Sequence, residues 1–398
     1  MQHRIVVLGA GYTGALAAGR LAGRLRPEDV SVTLVDAEPD FVERVRLHEV
    51  AAGRPLRPRP YREMFAGTGV GLRTARVTGI DVDRRSVTVS TAGGTEELGY
   101  DTLVYALGSG WDAEGVPGVA EHAHEIAGRA GALRLHDRLA RLEAGRPVVV
   151  VGGGLTGLEC AAEIAEARPD LQVALATREG LGDRLSDAGR RHLRRVFRRL
   201  GVTVHEHTDV TRVEAGRVLT ADGTSIPAAV TVWATGFAVH TIAKATTLEV
   251  AGTGQIVVDR TMRSVSHPEV YAVGDAAWAL GPGDKPLRMS CASGLPTAWQ
   301  AAEAITARLT GATPPKVPLR YVQQCVSLGR ADGLIQFVTA DDRAVPAILT
   351  GRPAAGYKEL TCKAAAWAVT HPRLLRRRHR PAVRERRHRA EPAGASAA

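Results

Sequence analysis

Residues 148–159, VVVVGGGLTGLE, constrain this chain more than any other stretch. Four consecutive valines read as a strand buried on both faces, since β-branched side chains suit a pleated sheet and no polar position interrupts them. Gly152, Gly154 and Gly157 follow at the spacing G-x-G-x-x-G, and AAEIAEA continues as an apolar helix. The first glycine makes the tight turn, the second lets a pyrophosphate approach the backbone, and the third lets helix pack on strand. Leu155 and Thr156 open the helix, whose exposed N–H groups can hold phosphates.

The same design stands at residues 4–14, RIVVLGAGYTG, where Gly9, Gly11 and Gly14 enclose Tyr12 and Thr13. A second strand, VSVTLVD, ends at Asp36, 22 residues past Gly14, where a carboxylate accepts hydrogen bonds from an adenosine ribose. The corresponding position of the second unit, in LQVALATR, holds Thr177 followed by Arg178. An acid there repels a 2′-phosphate, whereas a hydroxyl beside a guanidinium can bind one. The second unit is therefore expected to accept NADPH, or to take NADPH or NADH without commitment.

Three apolar strands end in small residues, as a chain passing close to a bound nucleotide requires. They are YDTLVYALGS, with Ala106, Gly108 and Ser109; VTVWATGF, with Ala234, Thr235 and Gly236; and HPEVYAVGDAA, with Gly274 and Asp275. Asp275 is placed to accept hydrogen bonds from a polyol or ribityl chain. A helix expected from about Pro296, including Ala298, could aim its N-terminus at the pyrimidine end of a flavin. Arg44, Arg46 and His48, after the ribose acid, are either flavin contacts or surface charges of an irregular segment. Residues 72–109 alternate as antiparallel strands do, and YVQQCVSLGR and LIQFVTA, separated by ADG, read as a hairpin.

Taken in this order, GAGYTG with Asp36, YDTLVYALGS, GGGLTGLE, VTVWATGF and VYAVGDAA resemble the two-dinucleotide-binding-domain flavoprotein reductases. Over residues 3–310 the chain looks most like type II NADH dehydrogenases and apoptosis-inducing-factor-like oxidoreductases. The resemblance implies an α/β fold of two Rossmann-like domains in the glutathione-reductase manner, the second inserted in the first, plus a C-terminal unit. Expected divisions are 1–112 and 241–317 for the FAD-binding domain, 113–240 for the NAD(P)H-binding domain, 318–372 for a C-terminal α+β unit, and 373–398 for a basic, disordered tail. FAD would be held without a covalent bond and NADPH or NADH would supply hydride to flavin N5, the protein contributing positioning and electrostatics.

Glu159 matches the glutamate that relatives place near nicotinamide and flavin; otherwise it is an ordinary helix residue. No cysteine occurs in 37–60, where disulfide reductases carry a Cys-x4-Cys pair, so a dithiol mechanism is excluded. Cys160, inside the nicotinamide-domain helix, argues against sulfide oxidation. Type II dehydrogenases place an Ala-Gln pair near the quinone; here the stretch is Pro296-Thr297-Ala298-Trp299-Gln300, which puts a quinone acceptor in question. The expected function is nonetheless an FAD-dependent NAD(P)H dehydrogenase passing electrons to a quinone or quinone-like acceptor. A small redox protein or specialised metabolite is the alternative acceptor. A third reading is an FAD-bound interaction protein with a nucleic-acid-binding tail.

Charge bears on that last reading. Of a net +10, the stretch from Arg373 onward, with nine Arg and two Glu, carries +7. No aromatic residues interleave its arginines, so specific nucleic-acid binding is not expected; attraction to anionic lipid is the alternative to disorder. No apolar run reaches the roughly 18 residues of a spanning helix, and the chain starts with a strand rather than a signal peptide, so the expected location is cytoplasmic, with peripheral contact at the inner membrane face as a further expectation. Four scattered cysteines suggest free thiols, and no metal is expected. Oligomeric state is left open.

Overall fold

The structure, a computed structural model, describes residues 2–375 and 380–383. Its first parallel sheet has the strand order 270–272, 102–105, 3–8, 30–36, 70–74. The last of the chain's contributions, Val270–Ala272, thus returns beside Thr102–Tyr105 after the whole second unit has intervened. That second unit is its own five-stranded parallel sheet, ordered 203–205, 172–176, 147–151, 230–233, 123–125. One Rossmann-like domain is therefore inserted in another.

Both sheets run as the valine stretches require. Val148 to Val151 are almost wholly buried, as are Ile5 to Leu8, each such side chain contributing about 1.5–3 kcal/mol on leaving water. The helix Tyr12–Arg24 is buried along almost its whole length because Ala15, Ala17, Ala18, Gly19 and Ala22 keep it thin. It lies against the helix Cys291–Thr310 and, at Gly19, against Pro372.

Two expectations change. Residues 70–74 do not join the antiparallel set but pair parallel with 30–36, since the connection through 41–69 is long enough to cross over the sheet. The antiparallel sheet is instead 76–81, 86–91 and 94–99. The helix expected near Pro296 begins at Cys291, and Pro296 sits inside it. Pro296 cannot donate to the carbonyl of Ala292, four residues before it, and Thr297 Oγ1 donates to Gly294 O at 2.7 Å in the same turn.

The C-terminal hairpin pairs Gln323–Ser327 with Gly333–Val338, and a third strand, Ala344–Thr350, leads into the helix Gly351–Thr370. The sheet is fastened to the second domain by buried Gln336, which accepts from Ser186 N at 2.8 Å, and by Asp332, which meets His192 and Arg199. Most of the arginine-rich tail lies outside the described residues. Within 380–383, Arg26 Nε donates to Arg380 O at 2.8 Å and Val383 N donates to Asp29 Oδ2 at 3.1 Å. No helix among the described residues is long and apolar enough to cross a membrane.

Candidate active site

Both glycine loops open onto one cleft of 2610 Å³, well beyond the roughly 300–1,000 Å³ that holds a single small ligand. In the first loop Gly9 has φ +88° and a Cβ there would collide with Ala106 O, while a Cβ on Gly14 would collide with Gly9 O. A Cβ on Gly11 would meet nothing within 4 Å. The second loop repeats this: Gly152, at φ +124°, lies under Ala234, Gly157 packs on Gly152 O, and Gly154 faces open space. Gly11 and Gly154 are N-caps of the helices Tyr12–Arg24 and Leu155–Ala167, and neither helix start has a side-chain cap. Helix N–H groups at both loops are thus directed at space sized for a pyrophosphate.

Asp36 Oδ2 accepts from Ala10 N at 2.5 Å, which holds the carboxylate against the first loop. Across the loop, Arg44, Ser109 and Asp275 meet although the sequence separates them widely. Arg44 donates to Ser109 O at 2.7 Å, and Ser109 Oγ donates to Asp275 Oδ2 at 2.7 Å. Thr13 packs where side chains on Gly274 and Gly294 would stand, so the first loop and the start of the late helix close together. Tyr12, Gly108, Leu155, Thr156, Thr177, Arg178, Thr235 and Gly236 also line the cleft.

Some expected residues lie elsewhere. Gly14, Gly157, Ser109 and Gly274 support the cleft from behind its surface. Ala298 is fully buried and faces away, and Gln300 accepts from Val317 N at 2.9 Å, so the neighbouring Trp299 is the one that reaches the cleft. Arg46 does not line the cleft: it is buried among Glu43, Glu49 and Glu359, the last on the C-terminal helix. Three acids hold it inward, where the sequence left flavin contact and surface charge as the alternatives.

Glu159 is buried and is bonded by Lys358 Nζ, Ser327 N donates to it at 3.0 Å, and His48 Nδ1 stands 3.9 Å from its carboxylate without a hydrogen bond. Burial alone would push its carboxyl up, but Lys358, His48 and these hydrogen bonds outweigh it and hold it below the usual carboxylate range. Burial opposes the Lys358 charge as well, yet Glu159 raises that ammonium above its ordinary value. His48 goes the other way: burial pushes it down to about 4, so it is neutral near pH 7. Its Nε2 has no hydrogen-bond partner among the described residues, and the ring borders the cleft.

Sequence reasoning missed Lys358 and three cysteines. Cys291, Cys325 and Cys362 border the cleft, while Cys160 is buried in the second domain's core. All four are free thiols. Burial pushes Cys291 up to about 12 and Cys325 up to about 11, and it raises Cys362 too, so none is poised as a thiolate.

Two dinucleotide cradles facing each other across one cleft are what a flavoprotein oxidoreductase needs to bring a nicotinamide against FAD, and the open space at Gly11 and Gly154 fits both groups. The chain belongs to the pyridine nucleotide-disulphide oxidoreductase family, whose model matches residues 3–305. It is 32% identical over 319 residues to the NADH dehydrogenase-like protein Rv1812c of Mycobacterium tuberculosis, covering 74% of this chain and 77% of that one. It is 27% identical over 371 residues to the demethylphylloquinone reductase NdbB of Synechocystis, covering 88% and 90%. NDH2 of Plasmodium falciparum, solved with NADH, superposes with a TM-score of 0.77 at 15% identity, over 94% of this chain and 97% of that one. The chain is an FAD-dependent NAD(P)H oxidoreductase.

Proposed function

We propose that the acceptor is a quinone. The observation that carries this reading is that the cleft does not end at the two dinucleotide loops. It continues to an apolar mouth between Leu295, Pro296 and Trp299 on one helix and Cys362, Ala365 and Ala368 on the C-terminal helix. A flat, apolar ring with two carbonyls suits such a mouth, since its faces meet apolar side chains and its oxygens can meet Lys358, which also borders the cleft. The demethylphylloquinone reductase among the relatives, matched over nearly its whole length, agrees with that acceptor class.

When bound, FAD supplies the two-electron store that takes hydride from the nicotinamide and releases electrons to the acceptor. The chain's own residues hold and orient. Asp36 takes the first ribose, Asp275 with Arg44 and Ser109 takes the polyol side, and the two helix starts take pyrophosphates. Lys358 and Glu159 form a fixed, buried charge pair beside the mouth, with an ammonium able to face an acceptor oxygen as charge develops on it. Steady-state turnover with NADH and a soluble benzoquinone tests the reading; turnover with a ferredoxin-type protein and none with quinones would replace it.

A further inference from the structure

The adenosine end of the second domain is not arranged as its sequence suggests. By register, Val151 pairs with Ala176 as Leu8 pairs with Val35, so Thr177 occupies the place of the ribose acid Asp36. Thr177 is buried, with its hydroxyl against Gly153, where a Cβ would collide with it. Read alone, Thr177 and Arg178 form a site for a 2′-phosphate. The acid absent from the strand end has a counterpart on the next loop, however. Thr208 N donates to Thr177 O at 2.9 Å, which brings Asp209 alongside, and Arg178 Nε donates to Asp209 Oδ1 at 3.0 Å. Arg178, Asp209 and Thr177 all border the cleft. Arg184, which also lines the cleft, faces Glu179 at 3.5 Å.

We infer that Asp209 sets the donor specificity: it engages Arg178 and places negative charge beside the adenosine 2′ position, so that the site selects NADH over NADPH. The inference rests on the reading of this domain as the nicotinamide-binding one. A 2′-phosphate entering here shares Arg178 with Asp209 or draws it away, and in either case sits close to a carboxylate. A 2′-hydroxyl need do neither. Both side chains are substantially exposed, 80% for Arg178 and 47% for Asp209, so the pair adds little to folding and its variants should fold.

Calorimetric titration of the FAD-loaded protein with NAD+ and with NADP+ tests this without turnover. Wild type should bind NAD+ more tightly. Asp209→Asn should tighten NADP+ by about tenfold while leaving NAD+ within about threefold, and Arg178→Ala in the Asp209→Asn background should abolish the gain. An unchanged NAD+ to NADP+ ratio in Asp209→Asn, or a gain that survives the loss of Arg178, overturns the inference while leaving the domain's function intact. Failure of wild type to bind either nucleotide overturns the functional reading and the inference together.

Discussion

Lys358 and Glu159, 199 positions apart, form a buried ion pair that joins the C-terminal helix to the first turns of the second glycine-loop helix. Removing one member leaves the other charged and buried. Lys358→Met should therefore cost about 3 kcal/mol or more and lower the thermal midpoint by several degrees. The double variant Glu159→Gln/Lys358→Met should recover most of that loss. A double variant as unstable as the single one, followed by circular dichroism, would show that the cost lies in packing rather than in the unpaired charge.

His48 gives stability a pH dependence of defined sign. Its folded value, about 4, lies below the ordinary histidine value of roughly 6.5, so the unfolded chain takes up the proton first. Its neutral, buried state is fully tolerated above the unfolded value, and stability falls as pH drops from about 6.5 toward 4, by roughly 3 kcal/mol in all. Glu159, held below its ordinary value, loses its contribution only at lower pH still. His48→Leu should flatten the midpoint against pH between 6.5 and 5, and an unaltered slope would contradict the assignment.

The two loops are separable by single methyl groups. Gly11→Ala adds a Cβ to open space, so the protein should fold and lose FAD, read as the ratio of flavin to protein absorbance. Gly154→Ala should retain FAD and lose reduction by NADH by at least tenfold. Gly14→Ala, whose Cβ collides with Gly9 O, should instead reduce the yield of folded protein. Full flavin in purified Gly11→Ala would mean that the first loop is not the pyrophosphate cradle.

Trp299 stands at the apolar mouth with the Arg20 guanidinium 4.2 Å from its ring centroid, and its Nε1 donates to Glu303 at 3.1 Å. Trp299→Ala should raise KM for a soluble quinone several-fold and leave the rate of flavin reduction by NADH unchanged. A slower reductive half-reaction with an unchanged quinone KM would place the acceptor elsewhere.

What the sequence disclosed is what the backbone decides locally. The turns at Gly9 and Gly152, the ribose acid at Asp36 and the small residues at Ala106 and Ala234 follow from strand, loop and helix in immediate succession. Arg44, Ser109 and Asp275 were each legible singly, but their meeting was not, since it depends on three separate strand ends and loops converging. Ala298 was misjudged because one residue along a helix turns the side chain by about 100°, and that step exchanges Ala298 for Trp299 in the cleft. Lys358, Asp209 and the cysteines at the mouth carried no motif. Their roles come from the docking of the C-terminal sheet and from one loop beside Thr177, neither of which a local pattern encodes.

The most direct test of the central claim is anaerobic stopped-flow mixing of the FAD-loaded protein with NADH, followed by a second mix with a soluble quinone. The flavin absorbance should bleach rapidly in the first step and return rapidly in the second. Rapid bleaching with negligible return would contradict the quinone as acceptor, and no bleaching by NADH or NADPH would contradict the account as a whole.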